Sequence, residues 1–113
     1  MTEKKYAWHK IAESVSAISF SSNGMAEITV AGKTICIARH NNNLYACTQK
    51  CPHAGGILAD GHIDATGNIV CPLHRYKYSL QNGRNISGEG YYLKTYTIAV
   101  NAAGVFVNFD KVI

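Results

Sequence analysis

The sequence predicts an all-β protein, an antiparallel sandwich or barrel with a loop-rich part inserted into it. Short runs of β-branched and aromatic residues alternate with polar residues, and Asn and Gly turns separate these runs. Helical spacing is confined to one short stretch near the N-terminus. The 113 residues, 47% of them hydrophobic and 16% charged, fit a single domain over residues 1–113 with its own core.

The N-terminal half begins with weak helical spacing and continues as a β-meander. Ile11, Val15 and Ile18 recur at helical intervals, which predicts at most one turn of helix over residues 11–18. Three strands are predicted after it, joined by turns at residues 31–33 and 41–43. Their predicted bounds are 26–30, 34–38 and 44–48.

The C-terminal end is predicted to be a β-hairpin. Tyr96, Ile98 and Val100 alternate with smaller or polar residues, as in a strand with one buried face. Residues 101–104 then turn the chain into a second strand at 105–109.

A glycine-rich centre, residues 51–90, separates these two β-rich ends. It contains Gly55, Gly56, Gly61, Gly67, Gly83, Gly88 and Gly90. This composition predicts loops carried by a β scaffold, and loops on rigid scaffolds often carry function. We therefore expect the functional site within about residues 45–90.

Two short motifs in this centre combine cysteine, proline and histidine. They are Cys51-Pro52-His53 and Cys71-Pro72-Leu73-His74, separated by seventeen residues. Two Cys and two His can bind zinc tetrahedrally, but zinc fingers usually group like ligands on one element. A mixed pair in each loop favours a two-metal cluster, because one loop can give its Cys to one metal and its His to the other.

The pattern Cys-x-His-x17-Cys-x-x-His, with a proline after each cysteine, closely resembles the Rieske [2Fe–2S] ferredoxin family. The resemblance extends through LYACTQKCPHAGGILADG, GNIVCPLHRYKYSLQNG and LKTYTIAV, and so covers most of the chain. It implies a Rieske-type β fold with an inserted cluster-binding subdomain and a Rieske-type [2Fe–2S] cofactor. The alternative is a zinc-stabilised binding module.

The resemblance also implies the ligand of each iron. Cys51 and Cys71 would bind the inner iron as thiolates, and His53 and His74 would bind the outer iron near the surface. These four residues are the predicted metal and cofactor ligands, and no catalytic residue is predicted.

Five apolar or small residues beside the ligands receive supporting roles from the same resemblance. Gly55 and Gly56 would let the backbone pass close to inorganic sulfide. Ile57, Leu58 and Leu73 would shield the sulfur atoms from water.

Some positions depart from high-potential relatives. Gly56 and Leu73 stand where respiratory members carry an extra cysteine in each loop, so those loops cannot be joined by a disulfide. Tyr76 replaces a serine that raises the potential, whereas Tyr78 occupies the position of a tyrosine that donates to a ligand sulfur. We therefore expect a reduction potential in the lower half of the Rieske range of about −150 to +300 mV. Whether residues 86–93 cover the cluster is left open, because they lack a proline found in many relatives.

Other cysteines and basic residues have simpler interpretations. Cys36 and Cys47 have no histidine at ligand spacing and are expected to be structural thiols, buried or half-buried. Lys50, Arg75 and Lys77 flank the ligand loops, where they form a basic docking collar or keep the rim polar. Tyrosines between these cations do not make nucleic acid a predicted partner.

Together these features predict a one-electron carrier with no catalysis of its own. The first hypothesis is a ferredoxin that passes electrons from a flavin reductase to a terminal oxygenase or similar enzyme, docking near His53 and His74. The alternative is a small Rieske-like subunit of a larger reductase such as nitrite reductase. An oxygenase would need a second iron site, with two histidines and a carboxylate, in an additional large domain.

The sequence also predicts where the protein acts. No apolar run approaches the roughly 20 residues that a membrane helix requires. The N-terminal residues lack the apolar segment of a secretory signal. We therefore expect a cytoplasmic location, no membrane partner and cysteines that are not joined in disulfides.

Overall fold

The computed structural model describes residues 8–53, 55–73, 75–86, 88 and 90–109. Two single-turn 3₁₀ helices, Val15–Ala17 and Leu58–Asp60, accompany the strands. The strands of this described part are β1 (Trp8–Ala12), β2 (Met25–Val30), β3 (Lys33–His40), β4 (Asn43–Thr48), β5 (His62–Ile63), β6 (Asn68–Val70), β7 (Lys77–Ser79), β8 (Thr95–Asn101) and β9 (Gly104–Asn108).

Six of the strands form one antiparallel sheet in the order β1-β9-β8-β4-β3-β2. The sheet curls so that its two edges meet. Ile11 of β1 packs in the same apolar cluster as Ala26 and Ile28 of β2, which is the opposite edge strand. Fully buried Ile35 and Val107 lie on the concave side with the partly buried aromatic residues around them. The predicted all-β class is confirmed, and the predicted antiparallel sandwich or barrel takes the form of a curled antiparallel sheet.

Two-residue turns set the register of the predicted meander. Ala31 and Gly32 have φ values of 52° and 76°, and Asn41 and Asn42 have φ values of 53° and 68°. Two successive residues with positive φ are typical of type I′ turns, whose twist matches that of a hairpin. The predicted strands at 26–30, 34–38 and 44–48 are confirmed; each begins one residue earlier than predicted, and β3 ends two residues later.

The other strand predictions had mixed outcomes. The C-terminal hairpin is confirmed as β8 and β9, joined through Asn101 paired with Gly104. The single helical turn is present as Val15–Ala17, but residues 8–12 form a strand that the helical spacing did not indicate. This strand pairs with β9, with Trp8 opposite Asn108.

The predicted loop-rich centre contains a second, three-stranded sheet in the order β5-β6-β7. Its strands are only two or three residues long, and Ile69 lies opposite Ile63 on one side and Tyr78 on the other. This small sheet packs against the convex face of the large sheet, where Cys36, Ala38 and Cys47 are buried. It thereby positions the second ligand loop, between β6 and β7, beside the first, which follows β4.

Among the described residues there is no helix of the length and apolar character needed to cross a membrane.

Candidate metal centre

The first ligand loop is closed by backbone hydrogen bonds around Cys51. The Cys51 N–H donates to the Gly56 carbonyl at 2.8 Å, and the Gly55 N–H donates to the Cys51 carbonyl at 3.0 Å. Gly55 has a φ of 77°, a conformation that glycine adopts without the usual steric cost. These contacts hold Cys51 facing inward at the end of the segment that continues from β4.

The second ligand loop has a similar closure between β6 and β7. The Cys71 N–H donates to the Tyr76 carbonyl at 2.9 Å. Arg75 has a φ of 60°, which is unusual for a residue with a side chain. His74, the predicted ligand in this loop, lies outside the described residues.

The two predicted cysteine ligands are buried side by side. Cys51 is 2% exposed and Cys71 is fully buried, and both belong to the apolar cluster that joins the two sheets. Burial, with a further contribution from the neighbouring Cys51 thiol, raises the pKa of Cys71 to about 11, against an opposing backbone hydrogen bond at Leu73. A thiolate here therefore needs a cation beside it, as a metal ligand has.

Gly56 lies where a side chain would crowd the second ligand loop. A Cβ atom at this position would lie 3.0 Å from the Cys71 sulfur and 3.1 Å from Leu73. Gly55 has open space around it, so glycine is favoured at this position by the positive φ and not by crowding. The two glycines thus serve different purposes, where the sequence suggested one.

Tyr78 connects the small sheet to the first ligand loop. Its hydroxyl lies 3.3 Å from the Cys51 sulfur, and the residue is fully buried. Burial, then the hydrogen bond and charge of Cys51, raise the pKa of Tyr78 well above its ordinary value. Tyr78 therefore stays protonated and can donate to a Cys51 thiolate, as the resemblance implied.

His53 lies at the edge of the site in an aromatic cluster. Its ring stacks on Tyr76 with centroids 4.0 Å apart, and Tyr91 lies 5.3 Å away on a tilted plane. The tyrosines are themselves 6.0 Å apart. Sequence reasoning noted Tyr76 as a replacement for serine and as a tyrosine between basic residues, but did not predict its contact with His53. It missed Tyr91, for which the sequence contains no local signal.

The described donors suit a binuclear cluster with a divided ligand set. Within the described residues, no three or more His, Cys, Asp or Glu side chains are placed to hold one ion. His74, the fourth predicted ligand, lies outside those residues. Two inward thiols with an imidazole at the edge match the divided ligand set of a Rieske cluster.

The shielding residues divide into buried and exposed members. Leu58 is fully buried in the apolar cluster that contains both cysteines, whereas Leu73 is 44% exposed. Ile57 is partly buried. Of residues 86–93, the described Ile86, Tyr91 and Tyr92 all expose large apolar side chains. The rim beside the site is therefore apolar and aromatic.

The basic residues near the ligand loops are exposed, as both a docking collar and a polar rim require. Lys50, Arg75 and Lys77 are all at the surface. Lys77 lies 3.9 Å from Asp64 and is thus partly engaged within the small sheet. Cys36 and Cys47 are buried, as expected for structural thiols.

Comparison with known proteins gives a consistent result. The family model of the Rieske [2Fe-2S] domain matches residues 7–97. The ferredoxin component of the naphthalene 1,2-dioxygenase system of Pseudomonas aeruginosa is 25% identical over 111 residues, 97% of this chain and 100% of that protein. The ferredoxin component of the alkene monooxygenase system of Xanthobacter autotrophicus is 23% identical over 76 residues, 67% of this chain. That match spans 62% of the relative, less than two thirds of its length.

Solved structures with the same fold include two from carbazole 1,9a-dioxygenase. The ferredoxin from Nocardioides aromaticivorans IC177 gives a TM-score of 0.74 at 20% identity, over 92% of this chain and 98% of that chain. A chain from the complex of reduced oxygenase and oxidized ferredoxin gives 0.78 at 20% identity, over 96% and 99%. At these identities the likeness establishes the fold.

Proposed function

Because this chain belongs to the Rieske [2Fe–2S] domain family, we propose that it is a Rieske-type ferredoxin that carries one electron between a reductase and a terminal oxygenase or similar enzyme. The observation that supports this most directly is the pair of buried thiols, Cys51 and Cys71, behind a partly exposed imidazole, His53. The whole chain would act as one Rieske domain, with about residues 45–90 holding the cluster.

The proposed cluster ligands would differ in type between the buried and the exposed side of the site. Cys51 and Cys71 would supply thiolates, and His53 with His74 would supply neutral nitrogen ligands. Two ferric ions, two sulfides and two thiolates sum to zero charge, so a bound cluster supplies an acceptor that is easier to reduce than one with four thiolates. Tyr78 would stabilise negative charge on the Cys51 sulfur through its hydroxyl.

The surroundings of His53 support electron exchange with a protein partner. Stacking on Tyr76 orients the imidazole, and the exposed side chains of Leu73, Tyr91 and Tyr92 offer an apolar contact surface. The named relatives serve dioxygenase and monooxygenase systems, which supports a flavin reductase and an oxygenase as partners here. Four thiols that are not joined in disulfides, all within the described part of the chain, support a reducing, cytoplasmic location.

The test is iron content and electron paramagnetic resonance of the purified protein before and after reduction. We expect two irons per chain, a Rieske-type signal on reduction, and loss of both in Cys71→Ser. Cys36→Ala is the matched control, because Cys36 is buried nearby but is not a proposed ligand. A colourless protein that contains zinc, or a Cys71→Ser variant that keeps the signal, would overturn the proposal.

A redox titration tests the expected potential separately. We expect a midpoint in the lower half of the family range, and a value well above +100 mV would contradict this expectation. Rapid reduction by a flavin reductase, without a large subunit that co-purifies, would distinguish a ferredoxin from a subunit of a larger reductase.

A further inference from the structure

Tyr91 lies outside both ligand loops, but its backbone is anchored. It belongs to the segment that leads into β8, where the Leu93 N–H donates to the Gly83 carbonyl at 2.8 Å and the Leu93 side chain is 2% exposed. Between them, Tyr92 pairs with Arg84 in an isolated antiparallel bridge. Backbone pairing and burial thus fix the residues that follow Tyr91, and Tyr91 is held at a defined place in the fold.

His53, Tyr76 and Tyr91 form a closed set of ring contacts, which we call the aromatic triad. The centroid of the His53 ring lies 4.0 Å from that of Tyr76 and 5.3 Å from that of Tyr91, and the two tyrosine centroids are 6.0 Å apart. These three distances make the angle at His53 close to a right angle. Because Tyr76 stacks on one face of the imidazole, Tyr91 lies beside the edge of that ring. The two tyrosines therefore contact the imidazole from different directions.

The exposure of the aromatic triad increases from its inner to its outer members. His53 and Tyr76 are partly buried, whereas Tyr91 is 40% exposed. Tyr91 is therefore the outermost of the three rings, and its ring takes the place of water beside the imidazole. A tyrosine suits this position, because its ring is apolar and its hydroxyl can remain in water.

An imidazole that binds a metal needs its ring oriented as well as its backbone held. The hydrogen bonds at Cys51 close the backbone of the first ligand loop, but they do not set the rotation of the His53 side chain. Contacts with two other rings restrict that rotation, so the imidazole is oriented before a metal binds. Groups that orient a metal ligand typically change metal affinity by about 10–100-fold, and the apolar shell around a site controls the access of water.

We propose that Tyr76 and Tyr91 are positioning residues for His53 and cover the metal centre on this side. The inference rests on the proposed function, since the orientation of His53 matters only if that residue is a ligand. Both tyrosines act through the imidazole. Tyr91 would thus supply, with an aromatic ring, a cover for which residues 86–93 lack the proline found in many relatives.

The test is the rate at which the oxidised, iron-loaded protein releases iron to excess EDTA, followed by the loss of visible absorbance. We expect Tyr76→Ala and Tyr91→Ala each to release iron at least about tenfold faster than wild type, since loss of a supporting group typically weakens metal binding about 10–100-fold. Tyr76→Phe and Tyr91→Phe keep the rings and should release iron at the wild-type rate. Tyr92→Ala is the matched control, because Tyr92 is the next residue, is 67% exposed and is not a member of the aromatic triad. It should also match wild type.

Pulsed electron paramagnetic resonance of the reduced protein distinguishes positioning from a general loss of stability. The nitrogen coupling of one ligand imidazole should change in both alanine variants and should stay at its wild-type value in both phenylalanine variants. Tyr91 is exposed and lies outside the ligand loops, so Tyr91→Ala should keep the fold and decides the test if Tyr76→Ala does not fold.

Three results would each overturn the proposal. These are a wild-type release rate or a wild-type nitrogen coupling in Tyr91→Ala, release from Tyr91→Phe as fast as from Tyr91→Ala, or release from Tyr92→Ala as fast as from Tyr91→Ala. Wild type that holds two irons and gives a Rieske-type signal would keep the proposed function in all three cases. Wild type without iron would remove both, so the two failures are distinguishable.

Discussion

The large and small sheets of this protein are stabilised in different ways. In the large sheet, Ile35, Ile37 and Val107 are fully buried within long paired strands. The small sheet has strands of two or three residues, and much of its order comes from polar turns and tightly packed glycines. The large sheet therefore depends on an apolar pattern that many sequences satisfy. The small sheet depends on individual residues that allow little replacement.

The Asp64 turn is the clearest polar element of the small sheet. Its carboxylate accepts hydrogen bonds from the backbone N–H groups of Thr66 and Asn68, and from both of their side chains. These bonds close the β5–β6 hairpin, where two paired residues on each strand would not suffice. In the large sheet, the β2–β3 turn depends instead on the positive φ values of Ala31 and Gly32.

Among substitutions that test this difference between the sheets, Gly61→Ala, at the start of the small sheet, should lower the free energy of unfolding most. A Cβ at Gly61 would collide with the carbonyl oxygen of Val70 on β6, so we expect a loss of about 3 kcal/mol or more. Gly32→Ala, in the β2–β3 turn, is the control. It meets open space and should cost only about 1–2 kcal/mol through its positive φ. Denaturant unfolding measures both, and equal losses would contradict the contrast.

The next effect should come from Asp64→Ala, which we expect to cost about 1–2 kcal/mol at neutral pH through lost hydrogen bonds. Burial opposes ionisation, but the bonds from Asn68 and Thr66 prevail and lower the pKa of Asp64 to about 2. A carboxyl with a lowered pKa stabilises the folded state at any pH above its ordinary pKa of about 4. This contribution is lost as the pH falls from about 4 to about 2.

Wild type should therefore lose more stability over that acid range than Asp64→Ala does. Asp60→Ala removes an exposed carboxylate next to the small sheet and should change stability by less than about 0.5 kcal/mol. If Asp60→Ala matched Asp64→Ala, the Asp64 turn would have no special role.

A smaller effect should follow Tyr78→Phe, which cuts the hydrogen bond between β7 and the first ligand loop. With the proposed cluster bound, the hydroxyl would stabilise negative charge on the Cys51 sulfur, most of all in the reduced state. The hydroxyl would thus stabilise the reduced state more than the oxidised state. Losing about 1 kcal/mol of this extra stabilisation should lower the midpoint potential by about 40 mV. Tyr45→Phe, a partly buried neighbour of the same apolar cluster, should show no comparable shift. A Tyr78→Phe potential at or above that of wild type would exclude this role.

The smallest effect should come from Arg75→Gly, which removes the steric cost of a φ of 60°. We expect a gain below about 1 kcal/mol, because glycine also has more freedom to lose on folding. Ala31→Gly, with a φ of 52° in the β2–β3 turn, should give a similar gain. Loss of stability in Arg75→Gly, measured on the iron-loaded protein, would show that the Arg75 side chain makes a contact worth more than the strain.

The sequence predicted those strands that alternate clearly and pair with the next strand along the chain. The meander and the C-terminal hairpin alternate within single strands and pair with their neighbours, so their existence follows from the chain itself. β1 was not predicted, because its partner is β9, which is distant in the sequence. β5, β6 and β7 were not predicted, because two or three residues are too few to show the alternation of a strand.

The same distinction applies to the candidate site. Cys51 and Cys71 were predicted as ligands from their spacing, and a hydrogen bond from Tyr78 to a ligand sulfur was expected only through the family resemblance. The stacking of His53 on Tyr76 and its approach to Tyr91 join residues from three separate loops. Nothing in the local pattern of any of these loops encodes such a contact.

The pairing of β1 with β9 sets the order in which this molecule can be completed during synthesis. Trp8–Ala12 is synthesised well before its partner, Gly104–Asn108, because all the other described strands lie between them in the chain. β1 therefore lacks its paired neighbour until β9 has been made, and such a late, non-local closure slows folding. Since Trp8 is the protein's one tryptophan, its fluorescence would report that final closure.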